Sequence, residues 1–308
     1  MSKDITSNQI ISIVGPTASG KTARALEIAT TNLQADHYQQ VQLLSADSRQ
    51  VYQGLEILTG ADIPAGWTKQ QSATLNWPCF HSPDGRLTLH GVSLIEPHQD
   101  WSVAHFVTLY QQLRQQLNSD QQLIIVGGSG TYQKQLRGEF ASLRVPPDPQ
   151  LRAQLEQLSV SQLQQQLQTL SPARFAAMNN SDAHNPRRLV RAIEVERGGA
   201  LAAPAPPPTT PVPTIRLAPP TDLAAKIEQR VRARLPGALQ EIQALLTKYQ
   251  LDPNQLPNWQ SLSGTGIKPL LALLAGELDQ TQCVATWTKE ELAYAKRQQL
   301  YLDKYLFA

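Results

Sequence analysis

The chain has 308 residues, of which 41% are hydrophobic and 17% charged, so a packed core can form and the composition excludes a chain that is disordered throughout. A formal net charge of +2 excludes the strongly basic class of proteins that coat nucleic acid, so any RNA contact must come from local clusters of charge. Only two cysteines occur, Cys79 and Cys283, and their wide spacing argues against a disulfide scaffold and against a cysteine zinc site.

The first residues and the length of the apolar runs bear on location. The chain begins with a polar stretch that leads into a short apolar strand, without the longer apolar core of a signal peptide. No apolar run approaches the ~18 residues that suggest a membrane span. We therefore expect a cytoplasmic protein with no membrane partner. Because no feature demands a dimer, we also expect a monomer with no protein partner.

Strand and helix patterns alternate in the first part of the chain. Ile10–Val14 is apolar and rich in β-branched residues, which is typical of a buried strand. The patterns that follow predict a helix from Lys21 to about Leu33, strands over Val41–Leu44 and Arg86–Leu94, a helix over Trp101–Leu117, and a strand over Leu123–Val126. This alternation predicts an α/β fold, a P-loop NTPase-like parallel sheet with flanking helices.

The character of the sequence changes after Pro149. Leu151–Leu170 is rich in leucine and glutamine at helical spacing, and Asn185–Arg197 has the pattern of a second helix. We predict a core domain in two parts, 1–140 and 201–308, interrupted by a helical insertion over 141–200. The proline-rich stretch Ala202–Pro213 predicts an exposed loop. A strand over Thr214–Leu217 and helices over Leu223–Tyr249, Lys268–Leu278 and Lys289–Tyr305 are predicted to complete the core.

A phosphate-binding motif follows the first strand. The pattern GxxxxGK[ST] is matched in full by Gly15, Pro16, Thr17, Ala18, Ser19, Gly20, Lys21 and Thr22. The glycines let backbone N–H groups converge on phosphate oxygens, and the helix N-terminus adds positive charge. Lys21 supplies a full charge, and the Thr22 hydroxyl is a natural ligand for Mg²⁺, the one cofactor that we predict.

This loop does not by itself identify ATP as the ligand. Enzymes that hydrolyse nucleoside triphosphates usually have a second apolar strand that ends in Asp and helps to hold Mg²⁺. Here Leu123–Val126 is followed by Gly127-Gly128-Ser129-Gly130, without a carboxylate. The loop is therefore also suited to a pyrophosphate that departs as a leaving group.

A second polar cluster, Ser45–Gln50, follows the second strand. Because the carboxyl ends of parallel strands line the ligand crevice, Asp47 is expected to face the P-loop. A carboxylate at this place can accept a proton from an attacking nucleophile or hold Mg²⁺ through water, or it can simply cap the turn that follows. Arg49 and Gln50 are suited to hydrogen-bonding a base or a phosphate, which favours the functional interpretation.

Seven segments in order resemble the family of tRNA dimethylallyltransferases (isopentenyl-diphosphate:tRNA transferases) over almost the whole chain. They are GPTASGKT at 15–22, SADSRQVY at 45–52, WSVAHF at 101–106, GGSGTY at 127–132, RRLVRAIEV at 187–195, KIEQRV at 226–231 and YAKRQ at 294–298. The resemblance implies that N6 of an adenosine beside the anticodon attacks dimethylallyl pyrophosphate and that pyrophosphate leaves. It implies Asp47 as the base, Ser129 as an active-site hydroxyl and Arg230 as a contact to the pyrophosphate.

The resemblance also implies contacts with the anticodon stem-loop of tRNA. The matching positions are Asp47, Ser48, Arg49, Gln50, Arg152, Arg187, Arg188 and Arg191. Arg187 and Arg191 lie four residues apart on a predicted helix, so they share a face and are able to grip successive phosphates, although such a cluster is also typical of a solvated helix face. In this interpretation the insertion is the arm that grips the anticodon stem.

The sequence departs from the family pattern at several places. Ala61 stands where the family usually has lysine, Ser263 where an arginine is common, Glu291-Leu292 where a Thr-Arg pair is usual, and Gln299-Leu300 where Thr-Trp is usual. Two alternatives to this function stay open. One is a small-molecule P-loop kinase that binds ATP, and the other is a tRNA-binding paralogue without turnover.

Overall fold

In the computed structural model of the chain, two compact units are present. One unit comprises Met1–Arg137 and Thr210–Ala308, and the other comprises Gly138–Thr209. The structure describes residues 6, 8–136, 145, 148–198 and 212–307. The predicted insertion, 141–200, falls within the second unit. Most of the predicted proline-rich loop, 202–211, lies outside the described residues.

The first unit is built on a seven-stranded sheet with the order β3-β4-β5-β2-β6-β1-β7. The strands are β1 (Ile10–Val14), β2 (Gln40–Ser45), β3 (Thr68–Gln71), β4 (Pro78–His81), β5 (Leu87–His90), β6 (Gln121–Val126) and β7 (Thr214–Arg216). β5, β2, β6, β1 and β7 pair in parallel, whereas β3 and β4 are antiparallel. The predicted parallel sheet with flanking helices is thus confirmed, with an antiparallel edge added.

The central strands form because their side chains are apolar on both faces. Ile11, Ile13, Ile124 and Leu44 are almost completely buried, as expected for strands covered by helices on both sides of a parallel sheet. In the register of the sheet, Val126 lies beside Ile13 on one side and beside Ser45 on the other. The segments that follow β1, β2 and β6 therefore leave the sheet at the same edge.

The prediction of a strand over Arg86–Leu94 was too long. The strand ends at His90 because Gly91 has φ +82, and a Cβ at Gly91 would meet Ser45 O at 2.7 Å. β3 and β4 were not predicted at all. All four residues of β3, Thr68–Gln71, are exposed and polar, so hydrophobic alternation was absent from the sequence there.

Helices cover the sheet of the first unit. They are α1 (Lys21–Gln34), α2 (Glu56–Thr59), α3 (Val103–Gln116), α4 (Gly130–Gln135), α10 (Leu223–Tyr249), α11 (Ile267–Leu274) and α12 (Gln280–Tyr305). α12 begins earlier than Lys289, the predicted start, because Asp279 forms a capping box with Gln282. α10 continues through Pro236, and its buried face includes Leu235 and Ala238 on either side of that proline.

The second unit is helical. Its elements are α5 (Pro149–Leu155), α6 (Val160–Leu170), α7 (Pro172–Ala176), α8 (Asn180–Ala183) and α9 (Pro186–Arg197). The single helix predicted over Leu151–Leu170 is two helices, because Ser159 caps α6 through a capping box with Gln162. A leucine-rich core joins α5, α6 and α9, with Leu155, Leu167 and Ile193 fully buried. Within the part of the chain that the structure describes, no helix is both long and apolar enough to cross a membrane.

The glycine after β6 permits a close approach between two neighbouring loops. A Cβ at Gly127 would lie 2.2 Å from the carbonyl oxygen of Ala46, which is backbone and has no room to give way. We expect Gly127→Ala to lower the free energy of unfolding by about 2–3 kcal/mol because it forces the two strand ends apart.

The measurement is urea-induced unfolding, with Gly264→Ala as the control. The Cβ of that variant would have no neighbour closer than 3.8 Å. We expect the control to change the free energy of unfolding by less than about 0.5 kcal/mol. Equal stability of the two variants would contradict the prediction.

Candidate active site

A cleft of ≈ 360 Å³ opens at the edge of the sheet where β1, β2 and β6 end. It brings together residues of the P-loop, of the segments after β2, α2 and β6, and of helices α10 and α12. Its lining residues are Thr17, Ala18, Gly20, Lys21, Thr22, Ala23, Asp47, Gln50, Thr59, Gly60, Asp62, Val126, Gly127, Lys226, Gln229, Arg230 and Gln298.

The predicted P-loop forms the floor of this cleft. Gly20 has φ +82 and directly precedes α1, so the first turn of that helix presents backbone N–H groups at the cleft. Five of the eight motif residues line the cleft, while Gly15, Pro16 and Ser19 lie behind them. Ser19 Oγ is buried and has no hydrogen-bond partner among the described residues. The arrangement is that of an anion-binding site.

Lys21 carries the charge of this floor. Its Nζ donates a hydrogen bond of 2.6 Å to the carbonyl oxygen of Pro16. Burial lowers the pKa of Lys21 to about 8, an effect that the carboxylate of Asp47 opposes and the guanidinium of Arg230 reinforces. Below about pH 8 the ammonium form therefore predominates, and a bound anion would favour this form further.

Asp47 lies across the cleft from the P-loop, as the sequence predicted. Its Oδ1 accepts a hydrogen bond of 2.9 Å from the backbone N–H of Arg49, so the carboxylate also caps the turn. Burial raises the pKa of Asp47, while the Arg49 N–H and the charge of Lys21 oppose that rise. A carboxylate with a raised pKa is a stronger proton acceptor than an exposed one.

Arg230 reaches the cleft from α10. Its Nη1 donates to Thr17 Oγ1 at 3.3 Å, and its Nη2 lies 3.2 Å from a carboxylate oxygen of Asp62. The structure thus brings together the predicted Asp47, Arg230 and P-loop. Ser129, the third predicted catalytic residue, is the N-cap of α4 and is not among the lining residues.

Sequence reasoning gave no site role to five polar residues of the cleft: Thr59, Asp62, Lys226, Gln229 and Gln298. Gln298 lies on α12, and its Oε1 accepts a hydrogen bond of 2.8 Å from the backbone N–H of Thr17 in the P-loop. The segment YAKRQ pointed to this helix without giving Gln298 a role. Asp62 had no local signal, since its importance depends on Arg230, which lies far away in the sequence.

Arg49 and Gln50, two predicted tRNA contacts, have partners within the first unit, and Ser48 lies half-buried beside them. Arg49 Nη1 donates to Gln260 O at 2.6 Å and to Ser263 Oγ at 2.9 Å. Gln50 accepts from Ser45 Oγ at 2.6 Å and donates to Gly60 O at 2.9 Å. Their contacts with tRNA stay predictions.

The remaining predicted tRNA contacts lie in the second unit. Arg152 donates to both carboxylate oxygens of Glu194 at 2.6 and 2.9 Å, and Arg191 donates to the same carboxylate at 3.1 Å. Arg188 pairs with Asp182, and Arg187 is exposed. Arg152 and Arg191 therefore serve as counter-charges for Glu194 within the second unit. Their contacts with tRNA stay predictions.

Comparisons with known proteins show what this chain is similar to. The family model of IPP transferases matches residues 50–305. A tRNA dimethylallyltransferase of Synechococcus sp. (strain CC9311) is 32% identical over 299 residues, which cover 96% of this chain and 86% of the relative. One of Herpetosiphon aurantiacus is 32% identical over 302 residues, or 94% of this chain and 85% of the relative.

A solved structure shows the same fold. The tRNA isopentenylpyrophosphate transferase of Bacillus halodurans superimposes with a TM-score of 0.58 at 24% identity, covering 96% of this chain and 87% of that one.

Glu194 is the group on which Arg152 and Arg191 of the second unit converge. Its side chain is completely buried, and burial alone would raise its pKa. Hydrogen bonds from Arg152, the Asp148 N–H and Arg191 outweigh burial, so the pKa lies below its usual 4.5. Because the folded-state pKa is lowered, this stabilisation is present above about pH 4.5 and is lost as the pH falls through the folded-state value.

We expect Glu194→Gln to destabilise the second unit by about 2–3 kcal/mol, since two guanidinium groups lose their counter-charge. Hydrogen exchange of the amides of α5 and α9 measures this change. Glu196→Gln, a half-buried carboxylate on the same helix, is the control and should alter exchange little. Equal protection in both variants would show that the cluster does not stabilise the unit.

Proposed function

The chain belongs to the IPP transferase family, and on that premise we propose that it transfers a dimethylallyl group from dimethylallyl pyrophosphate to tRNA. Its activity is that of a prenyltransferase that acts on tRNA. The proposed acceptor is the exocyclic N6 of the adenosine 3′ of the anticodon. One observation carries the proposal: a single cleft places a carboxylate of raised pKa opposite a P-loop and an arginine.

The leaving group is proposed to bind at the floor of the cleft. The backbone N–H groups around Gly20 and the ammonium of Lys21 neutralise the charge that develops on pyrophosphate as the C1–O bond breaks. Arg230, held by Thr17 in the P-loop, adds a second full charge. Because the negative charge on the pyrophosphate increases as the bond breaks, these groups stabilise the transition state more than they stabilise the bound donor.

The cleft also fits Mg²⁺. Thr22 offers a hydroxyl oxygen, the kind of ligand that Mg²⁺ favours, and Ser19 Oγ in the same loop is buried without a partner. Among the described residues no group of three or more His, Cys, Asp or Glu side chains could hold a metal, so the remaining ligands would come from pyrophosphate and water. Thr22 would hold the ion, which would supply further neutralisation of the pyrophosphate charge.

Asp47 is the proposed base. As N6 attacks C1 of the donor, a new N–C bond forms, the C1–O bond breaks and pyrophosphate takes the electron pair. The proton that N6 gives up passes to the carboxylate of Asp47. The N6 atom must leave the base stack to reach this carboxylate, so the adenine has to be flipped out of the anticodon loop.

The direct test incubates the protein with Mg²⁺, labelled dimethylallyl pyrophosphate and unmodified tRNA that carries adenosine 3′ of the anticodon. We expect N6-prenyladenosine after digestion. Asp47→Asn should lower the rate by about 10²–10⁴-fold, because the amide cannot accept the proton, while binding of pyrophosphate persists.

Asp36→Asn, which changes an exposed carboxylate of the same unit, is the control and should keep full activity. A wild-type protein that binds ATP, leaves dimethylallyl pyrophosphate unbound and forms no prenylated product would refute the proposed function in favour of the kinase.

The pH dependence of kcat/KM follows from the two buried charges. As the pH falls, Asp47 becomes protonated and loses its function as base, with a midpoint above the usual 3.8 because burial raises its pKa. As the pH rises through about 8, Lys21 loses its charge in the free enzyme. We expect a bell-shaped profile. A flat profile up to pH 10 in steady-state assays would contradict the assignment of Lys21.

A further inference from the structure

Arg230 stands between two groups that compete for its guanidinium. Nη1 donates to Thr17 Oγ1 of the P-loop at 3.3 Å, and Nη2 faces the carboxylate of Asp62 at 3.2 and 3.5 Å. Asp62 itself lines the cleft. A carboxylate therefore occupies the guanidinium edge beside the anion-binding floor, where an anionic ligand would otherwise bind.

The carboxylate is held at this place by its backbone. Asp62 has φ +48, a left-handed conformation that Asp and Asn tolerate better than most residues. Gly60, two residues earlier, has φ +63, and its carbonyl oxygen accepts a hydrogen bond from Gln50. A Cβ at Gly60 would lie 2.9 Å from guanidinium nitrogens of both Arg230 and Arg234, so the segment is packed directly against the two arginines.

The ion pair between Asp62 and Arg230 is exposed enough to solvent to dissociate. The side chain of Asp62 is 49% exposed and that of Arg230 is 31% exposed. An ion pair with this exposure contributes little to stability, so the guanidinium can change partner without unfolding its surroundings. The carboxylate also acts on Lys21, the other full positive charge of the floor.

We propose that Asp62 competes with the pyrophosphate group for Arg230 and thereby limits the affinity of the cleft for the donor and for the product. This inference rests on the proposed function. When pyrophosphate binds, Arg230 exchanges the carboxylate of Asp62 for phosphate oxygens. When the reaction is complete, Asp62 takes the guanidinium back and promotes release of the product.

The test measures binding of inorganic pyrophosphate with Mg²⁺ by calorimetry at pH 7. Asp62→Asn removes the charge and keeps a residue that tolerates positive φ. We expect it to bind pyrophosphate about three- to tenfold more tightly than the wild type, the range expected for removal of one charge at a half-exposed site. If that variant does not fold, Asp62→Gly replaces it, because glycine also suits φ +48.

Glu228→Gln is the matched control. Glu228 lies on α10, pairs with Arg232 at 2.7 Å and is 47% exposed, almost the same as Asp62, but it does not line the cleft. The control should bind pyrophosphate as the wild type does. In steady-state prenylation, Asp62→Asn should lower KM for the donor and also lower kcat where release of pyrophosphate limits the rate, a pattern that mere loss of structure would not produce.

Each outcome decides the inference. Tighter binding by Asp62→Asn alone supports it. Equal or weaker binding by Asp62→Asn overturns it and leaves the proposed function intact, and so does equal tightening in Asp62→Asn and Glu228→Gln, which would reflect net charge. A wild-type protein that fails to bind pyrophosphate overturns both the inference and the function on which it rests.

Discussion

The parallel pairing of β1, β2 and β6 is the constraint on which the rest of the first unit depends. Because the three strands run in the same direction and in this register, the P-loop, Asp47 and Gly127 emerge side by side at one edge of the sheet. The close approach of Gly127 to Ala46 keeps these ends together. The backbone therefore sets the positions of Asp47 and of the P-loop, while Arg230 and Gln298 reach the cleft from α10 and α12.

Burial then changes the acid–base properties of the cleft. It lowers the pKa of Lys21 and raises the pKa of Asp47, so both values move toward neutrality. An anion at the P-loop would favour the charged form of Lys21, and the carboxylate of Asp47 can accept a proton. A reaction that creates an anionic leaving group while it releases a proton supplies both at once. Prenyl transfer from a pyrophosphate to an amine is such a reaction, which is why the geometry supports it better than simple anion binding.

Local patterns in the sequence predicted the parts of the fold that short-range physics determines. The apolar runs of β1, β2 and β6 and the P-loop motif were all readable, because buried strands and phosphate loops leave signals within a few residues. The exposed strand Thr68–Gln71 left none. Asp62 and Gln298 enter the cleft through contacts with Arg230 and Thr17, which are distant along the chain. The convergence of Arg152 and Arg191 on Glu194 was hidden in the same way, since a buried glutamate resembles an exposed one in sequence.

Two departures from the family pattern, Glu291 and Ser263, are explained by their contacts with other parts of the first unit. Glu291 adds a negative charge to a buried position on α12, and Arg234 of α10 lies 3.6 Å away while Thr265 donates to the glutamate at 2.8 Å. An isolated buried charge is strongly unfavourable, so Glu291 requires the arginine as its counter-charge.

Ser263 follows the same logic, because Arg49 Nη1 donates to its hydroxyl, and an arginine at position 263 would bring a second positive charge against Arg49. Glu291 and Ser263 are thus each matched by a partner on another element, and neither departure alters the sequence of the P-loop or Asp47.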